Sequence, residues 1–216
     1  MSFTVAEVIT EVRDLVSDSM APYRYSDDFL VRKVNQAVRR ACVLRPDLFT
    51  THASITLAIG ALQSAPADSM RLMDVTTIGG IAAKEISQDT LDLMFPSWPS
   101  DATATSTASN WMRYPRDPNR FYVYPAPVAL STSATIVYAK SPATLAIDGT
   151  VPLPDAFMPC IIDGTGWLVE SVDAEYSENA RAKAFETSFR EALAAGVSNR
   201  PLTDTESGGS QQERSK

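Results

Sequence analysis

Apolar residues recur at helical spacing at both ends of this chain, and a different pattern fills the long stretch between them. An amphipathic helix is stable only when its apolar stripe packs against another element. Two such helices at each end therefore favour an α+β fold in which both helix pairs form one helical bundle. The middle then becomes an inserted antiparallel β-rich region. We expect boundaries of 1–49, 50–151 and 152–197, followed by a flexible tail over 198–216.

The N-terminal region carries start and stop signals for two helices. Thr4 and Glu7 have the spacing of a capping box, and Ser26 can cap a second helix. Met20-Ala21-Pro22 predicts the end of the first helix and Pro46 the end of the second, because proline has no N–H to donate. The expected apolar positions are Val5, Val8, Ile9, Val12, Leu15 and Val16 in the first helix, and Phe29, Leu30, Val34, Ala37, Val38 and Ala41 in the second.

The middle of the chain has β-type patterning. Ile55, Leu57 and Ile59 alternate with small or polar residues, which predicts a strand with one buried face. Gly79-Gly80 lies between two apolar runs and predicts a two-residue hairpin turn. The other predicted elements are strands over 72–78 and 81–86, a short helix from Ser87 to Met94, a flexible loop over 100–110, a hairpin around Asp117-Pro118-Asn119, and a strand over 135–139.

The last third is predicted to be helical again. Pro154-Asp155 is a rigid start for one helix, and a second helix follows a break near 176–179 and ends at Gly196. The residues beyond are polar and rich in Gly, Ser and Gln. We therefore expect a tail that is disordered in the free monomer and becomes ordered on binding. Arg200 and Leu202 are its candidate partner contacts.

Composition and charge limit the classes of function. The chain has 216 residues, 44% of them hydrophobic, which predicts a packed globular core. The formal net charge of −7 disfavours wrapping of nucleic acid, because Lys and Arg supply most phosphate affinity. Cys42 and Cys160 are distant from each other and are expected to be buried free thiols. The sequence shows neither a signal peptide nor a membrane span, so we expect the protein in a reducing cytoplasm.

Residues that could carry catalysis or bind a metal are sparse. The only histidine, His52, is predicted to lie at a surface or strand edge, and we expect no metal site and no cofactor. Gly164-Thr165-Gly166 lies within a predicted helix, which favours a close helix contact over a phosphate-binding loop. A hydrolase that uses carboxylates such as Asp68 and Asp74 remains an alternative. The favoured interpretation is a structural protein, not an enzyme.

One basic cluster stands out on the second helix. Arg32, Lys33, Arg39 and Arg40 lie opposite its apolar stripe. They form either a solvated helix face or a docking surface for an acidic partner. Six aromatic residues of the β region are expected in sheet cores or subunit contacts rather than in base stacking: Trp98, Trp111, Tyr114, Phe121, Tyr122 and Tyr124.

Four local patterns follow one another along residues 1–195. They are Tyr25-Ser26-Asp27-Asp28-Phe29-Leu30 continuing through Asn35-Gln36-Ala37 to Arg45-Pro46-Asp47-Leu48-Phe49; Ala65-Pro66-Ala67-Asp68 before Arg71-Leu72-Met73-Asp74-Val75; Phe121-Tyr122-Val123-Tyr124-Pro125-Ala126-Pro127 leading to Val137-Tyr138-Ala139-Lys140-Ser141-Pro142; and Leu153-Pro154-Asp155 with Ala184-Phe185 and Phe189. Together, in this order, they resemble the bacteriophage head-to-tail adaptor (connector) proteins. The loop at 100–110 and the tail from about 197 have no counterpart in that pattern.

The resemblance implies a ring, commonly a dodecamer, that binds beneath the portal of the capsid. Such a ring offers its other surface to tail or nozzle proteins and leaves an axial channel in which DNA is only passing cargo. The protein would be assembled in the host cytoplasm and located in the neck of the virion. A different virion part, such as a tail terminator or a minor capsid protein, is the alternative.

Overall fold

The computed structural model of the chain describes residues 2–100, 108–128, 132–172 and 179–195. The fold is mixed α+β, as expected. Five α-helices occur within these residues: α1 Val5–Leu15, α2 Asp27–Leu44, α3 Gln88–Met94, α4 Met158–Glu170 and α5 Asn179–Ala195. Eight strands occur within them: β1 Thr50–Thr56, β2 Leu62–Ser64, β3 Ser69–Ile78, β4 Ile81–Ala82, β5 Lys84–Glu85, β6 Asn110–Arg113, β7 Arg120–Tyr124 and β8 Ser133–Lys140.

The ends of the first two helices follow the local signals. The Thr4 hydroxyl accepts a hydrogen bond from the Glu7 N–H, and the Glu7 side chain bonds the Thr4 N–H in return, so the capping box is confirmed. Ser26 accepts from the Phe29 N–H at 3.3 Å. Helix α1 ends at Leu15, before the predicted stop, because the chain turns back at Ser17, whose φ is 57°. Helix α2 ends just before Pro46, as predicted.

Buried residues from α1, α2, α4 and α5 belong to one hydrophobic cluster. The N-terminal segment is also hydrogen-bonded to the segment before α4. The Val5 N–H donates to the Gly149 carbonyl at 3.0 Å, and the Val151 N–H donates to the Phe3 carbonyl at 2.9 Å. The two ends of the chain are therefore joined by apolar packing and by backbone hydrogen bonds.

Helix α4 approaches its neighbours at two glycines. A Cβ atom on Gly164 would lie 2.7 Å from Phe189 Cδ2 and 3.3 Å from Ala37 Cβ. A Cβ atom on Gly166 would lie 3.1 Å from Leu15 Cδ2. The predicted close helix contact is therefore confirmed at both glycines.

The eight strands form two four-stranded sheets with the orders β1-β8-β3-β4 and β2-β7-β6-β5. Neighbouring strands are antiparallel except β5 and β6, which are parallel. Residues of both sheets share one hydrophobic cluster, which includes Ile136 of β8 and Trp111 and Phe121 of the second sheet. Helix α3 belongs to a separate small cluster that joins Leu91 to Trp98 and to residues of the second sheet. The sheets therefore pack on each other, and α3 packs on the second sheet.

Both predicted hairpins are present. Gly79 and Gly80 have φ of 58° and 80°, the left-handed values that a two-residue turn of this kind requires. Strands β6 and β7 pair on either side of the Asp117–Asn119 turn. The two cysteines are buried and free, and His52 is exposed on β1, an edge strand. These predictions are confirmed.

The prediction for Ile59 was wrong, because its side chain is 63% exposed and lies beyond the end of β1. The buried Gln63 side chain is the physical reason. Its Oε1 accepts from the Ala58 N–H at 2.7 Å, and its Nε2 donates to the Ala58 and Gly60 carbonyls at 2.9 and 2.6 Å. These bonds fold the chain into a turn that directs Ile59 outward.

Four predictions fall wholly or partly outside the described residues. They concern the loop at 100–110, the break near 176–179, the stop at Gly196 and the tail with Arg200 and Leu202.

Candidate interaction surfaces

The basic face of α2 consists of Arg32, Lys33, Arg39 and Arg40. Arg32, Arg39 and Arg40 are exposed, and Lys33 is partly buried. Residues seven apart on a helix lie nearly above one another, so Arg32 and Arg39 form one line and Lys33 and Arg40 a second line beside it. The structure thus brings the four predicted cations together on one side of one helix.

Three of these four side chains contact neutral groups. Arg39 Nη2 donates to Thr144 Oγ1 at 2.7 Å, and the Arg40 guanidinium lies 4.3 Å from the centre of the Trp167 ring. Lys33 Nζ lies 5.1 Å from the Phe29 ring. Within the described residues, no carboxylate forms a salt bridge with any of the four. No carboxylate in the described part of the chain therefore neutralises their positive charge.

The pKa of Lys33 shows the effect of this crowding. It is lowered, first because the amine is partly buried and then because the positive charges of Arg40 and Arg32 repel its protonated form. No acidic group of the described ranges contributes to this pKa shift. The basic face therefore holds like charges in proximity, and an acidic partner would relieve that repulsion.

An acidic stripe lies on the exposed side of α1 and consists of Glu7, Glu11 and Asp14. All three are exposed. Glu7 is committed to the helix cap. The carboxylates of Glu11 and Asp14 form no hydrogen bond or ion pair with other described residues. This stripe was not predicted from the sequence, although its spacing of four and three residues is that of a helix face.

A buried ionic network fixes the loop between α1 and α2. Arg13 Nη1 lies 2.6 Å from Asp18 Oδ2, and Arg13 Nη2 lies 2.7 Å from Asp27 Oδ1. Asp18 also accepts from the Arg24 N–H at 2.6 Å. This network holds a loop on which Met20 is 83% exposed. No local pattern predicts this network, since its partners are neither three nor four residues apart.

Exposed apolar side chains lie next to the basic face, near the end of α2. Val43 is 66% exposed and Leu44 is 43% exposed. Both line a groove of about 380 Å³ together with Arg40, Trp167 and Phe189. The basic face therefore passes directly into an apolar groove, a combination typical of a protein-binding surface.

A second basic region lies between the helices and the β6–β7 hairpin. It is a cleft of about 450 Å³ that is lined by four arginines and by residues that include Pro46, Met70 and Tyr114. The Arg113 guanidinium already has partners within the chain, because its Nε lies 2.7 Å from Glu85 Oε1 and its Nη2 donates to the Met73 carbonyl. The arginines of the cleft are Arg71, Arg113, Arg116 and Arg120.

The candidate carboxylates of the hydrolase alternative have separate partners. Asp68 accepts from the Tyr138 hydroxyl and pairs with Lys140 at 3.2 Å, whereas Asp74 accepts from the adjacent Val75 N–H at 2.8 Å. Asp68 lies in the turn before β3, and Asp74 lies within β3. Among the described residues, no group of three potential metal ligands is assembled.

None of the helices in the described ranges is both long enough and apolar enough to cross a membrane.

The candidate sites of the described residues are thus charged and apolar surfaces. A family model described as SU10 adaptor protein matches residues 3–212. The chain belongs to this family, whose members are structural, non-enzymatic phage adaptor proteins of the virion. Among curated proteins, none matches the chain.

Proposed function

We propose that the chain is a head-to-tail adaptor, which forms a ring between the capsid portal and the tail. The observation that carries this proposal is the match to the SU10 adaptor protein family over residues 3–212, which spans nearly the whole chain. The ring would be approximately twelvefold and would contact portal protein on one side and tail or nozzle proteins on the other. The subunits would assemble in the host cytoplasm and occupy the neck of the virion.

The net charge of −7 supports a role as a channel wall. An acidic chain repeated around an axis repels the DNA backbone and so limits retention of DNA during ejection. DNA would thus pass through without a specific contact.

The helical ends, the β-rich region and the tail would have different roles in the ring. We propose that residues 1–49 and 152–197 act as one helical bundle, because α1, α2, α4 and α5 share one hydrophobic cluster. The β-rich region, residues 50–151, is then presented to tail proteins. The tail, residues 198–216, would become ordered against the portal through Arg200 and Leu202. The basic face of α2 would bind an acidic neighbour.

The decisive measurement is the mass of the protein, alone and mixed with purified portal rings of the same phage, by light scattering and electron microscopy. We expect a ring of adaptor subunits on each portal. A protein that stays monomeric and does not bind portal rings contradicts the proposal. A virion map that places the subunit at the end of the tail, or within the capsid shell, would instead identify a tail terminator or a minor capsid protein.

Deletion of residues 198–216 tests the tail separately. The truncated protein should keep its unfolding midpoint and circular dichroism spectrum and should bind portal rings more weakly. Binding equal to that of the full chain rules out a docking role for the tail.

A further inference from the structure

We propose that the acidic stripe of one copy docks on the basic face of the next copy, so that copies join head to tail. This inference rests on the proposed adaptor function and names the surfaces through which the subunits of the ring would meet.

The two surfaces match in length. Glu7 and Asp14 are seven residues apart on α1, and Arg32 and Arg39 are seven residues apart on α2. At 1.5 Å per residue, each pair spans about 10.5 Å along its helix. One carboxylate–arginine pair can therefore form at each end of the contact at the same time, whether the two helices run parallel or antiparallel.

Three charged groups of these surfaces have no ion-pair partner among the described residues, whereas Glu7 accepts from the Thr4 N–H and Arg39 donates to Thr144. Arg32 forms no ion pair within the described ranges, and neither do Glu11 and Asp14. Each surface alone carries charges of one sign, which repel one another. Contact between two copies compensates both surfaces at once, and complementary charge also speeds association and selects the partner.

The geometry favours growth beyond a dimer when different faces meet. A contact between the acidic stripe of one copy and the basic face of another leaves one free acidic stripe and one free basic face. Further copies can then add, and the assembly is a ring when the rotation between neighbouring copies closes. The exposed Val43 lies one turn beyond Arg39 and would add apolar burial at the edge of this contact.

A second copy is a better occupant of the basic face than DNA. The chain as a whole has a net charge of −7, so DNA approaching the face is repelled by the rest of the molecule. The acidic stripe, by contrast, is carried by every copy, in the length that the basic face requires.

Cysteine cross-linking tests the contact directly. Glu11 and Gln36 lie near the centres of the two surfaces, so the variant E11C/Q36C should form disulfides between copies. Cys42 and Cys160 do not interfere, because burial raises their thiol pKa values to about 11 and about 12. The matched control is E11C/A184C, in which the second cysteine lies on an exposed position of α5.

Both variants are oxidised at low ionic strength, free and bound to purified portal rings. We expect E11C/Q36C to give a reducible ladder of trimers and larger species, and the control to give none. Equal ladders in both variants indicate random collision and overturn the proposal. Products that stop at dimers also overturn it, because they indicate two-fold pairing.

Charge reversal provides a second test. Adding R32E/R39E to the cross-linking variant should lower the ladder yield at least about tenfold, because like charges then face each other. Chains with R32E/R39E alone, or with E11K/D14K alone, place like charges at every such contact and should stay monomeric. A mixture of the two restores opposite charges at both kinds of contact and should therefore recover the larger species.

The remaining outcomes separate this inference from the proposed function. Normal portal binding without any ladder contradicts the contact and leaves the adaptor function intact. Loss of both portal binding and the cross-linked ladder contradicts the adaptor function itself. If R32E/R39E leaves the oligomer mass unchanged but abolishes retention of duplex DNA, the basic face is a DNA contact and the proposal fails.

Discussion

The Asn35 side chain exchanges two hydrogen bonds with the backbone of Leu145. Its Oδ1 accepts from the Leu145 N–H at 2.7 Å, and its Nδ2 donates to the Leu145 carbonyl at 3.0 Å. The same Nδ2 also donates to the Val31 carbonyl at 2.8 Å. The two residues are 110 positions apart, so one amide joins α2 to the segment that leads into α4.

Replacing Asn35 with alanine should reduce the free energy of unfolding by about 2–3 kcal/mol, because both Leu145 backbone groups lose their partner. Urea unfolding monitored by circular dichroism measures the change. The control is Q36A, one residue further along α2 on the exposed side, which should change stability by less than about 0.5 kcal/mol. Equal effects of the two substitutions would show that the amide bridge contributes little.

Alanine at the two glycines of α4 should give different results. G164A places a methyl group 2.7 Å from the Phe189 ring and should destabilise by about 1–3 kcal/mol despite the better helix propensity of alanine. G166A meets the flexible end of Leu15 at 3.1 Å and should be nearly neutral. Thermal unfolding midpoints of both variants check this. A stable G164A would mean that α5 can shift away at little cost.

Removal of Arg13 should be among the most costly single substitutions. The Arg13 and Asp18 side chains are only 9% and 4% exposed, so R13A leaves a buried carboxylate without its cation. Breaking such a pair from one side costs about 3–5 kcal/mol. D27A removes only the exposed partner and should cost below about 1 kcal/mol. Denaturant midpoints rank the two variants, and a reversed order would sink this account of the network.

Alkaline pH should destabilise the protein partly through its thiols. Burial raises the pKa of Cys42 to about 11 and that of Cys160 to about 12, above the value near 8.5 of an exposed cysteine. The unfolded chain therefore loses these protons first. The thiols' contribution to stability is complete below about pH 8.5 and falls as the pH rises toward their folded pKa values.

The measurement for this prediction is the urea midpoint at several pH values between 8 and 10. The double variant C42A/C160A should show a smaller decline than the natural chain, whatever its stability at neutral pH. Tyr122 and Tyr138, whose pKa values are also raised by burial, titrate in both proteins and cancel in the comparison. Parallel declines would assign the pH dependence to groups other than the thiols.

Elements with a local cause were predictable from the sequence. The capping box at Thr4 depends on two residues three apart, and the hairpin at Gly79-Gly80 depends on a conformation that glycine adopts easily. The α+β class was predictable from the helical and strand periodicities of the apolar residues. The basic face of α2 was predictable from helical spacing.

Features with distant causes were not predictable in this way. The turn at Ala58–Gly60 is made by a buried Gln63, and a glutamine in a sequence gives no indication that it will bond backbone rather than solvent. Strand order has the same difficulty, since β1 pairs with β8 across most of the β region. The Arg13 network was missed because its partners meet only after the loop folds back.

The Asn35–Leu145 bridge also has a consequence for the order of events on the ribosome. At about 5–20 residues per second, the synthesis of the intervening chain takes roughly 6–22 seconds. Throughout that interval the apolar sides of α1 and α2 have no α4 to cover them, and the strands of both sheets are made before α4 is. Nascent chains stalled before residue 145 should therefore be the ones that chaperones hold, and release should coincide with the emergence of α4.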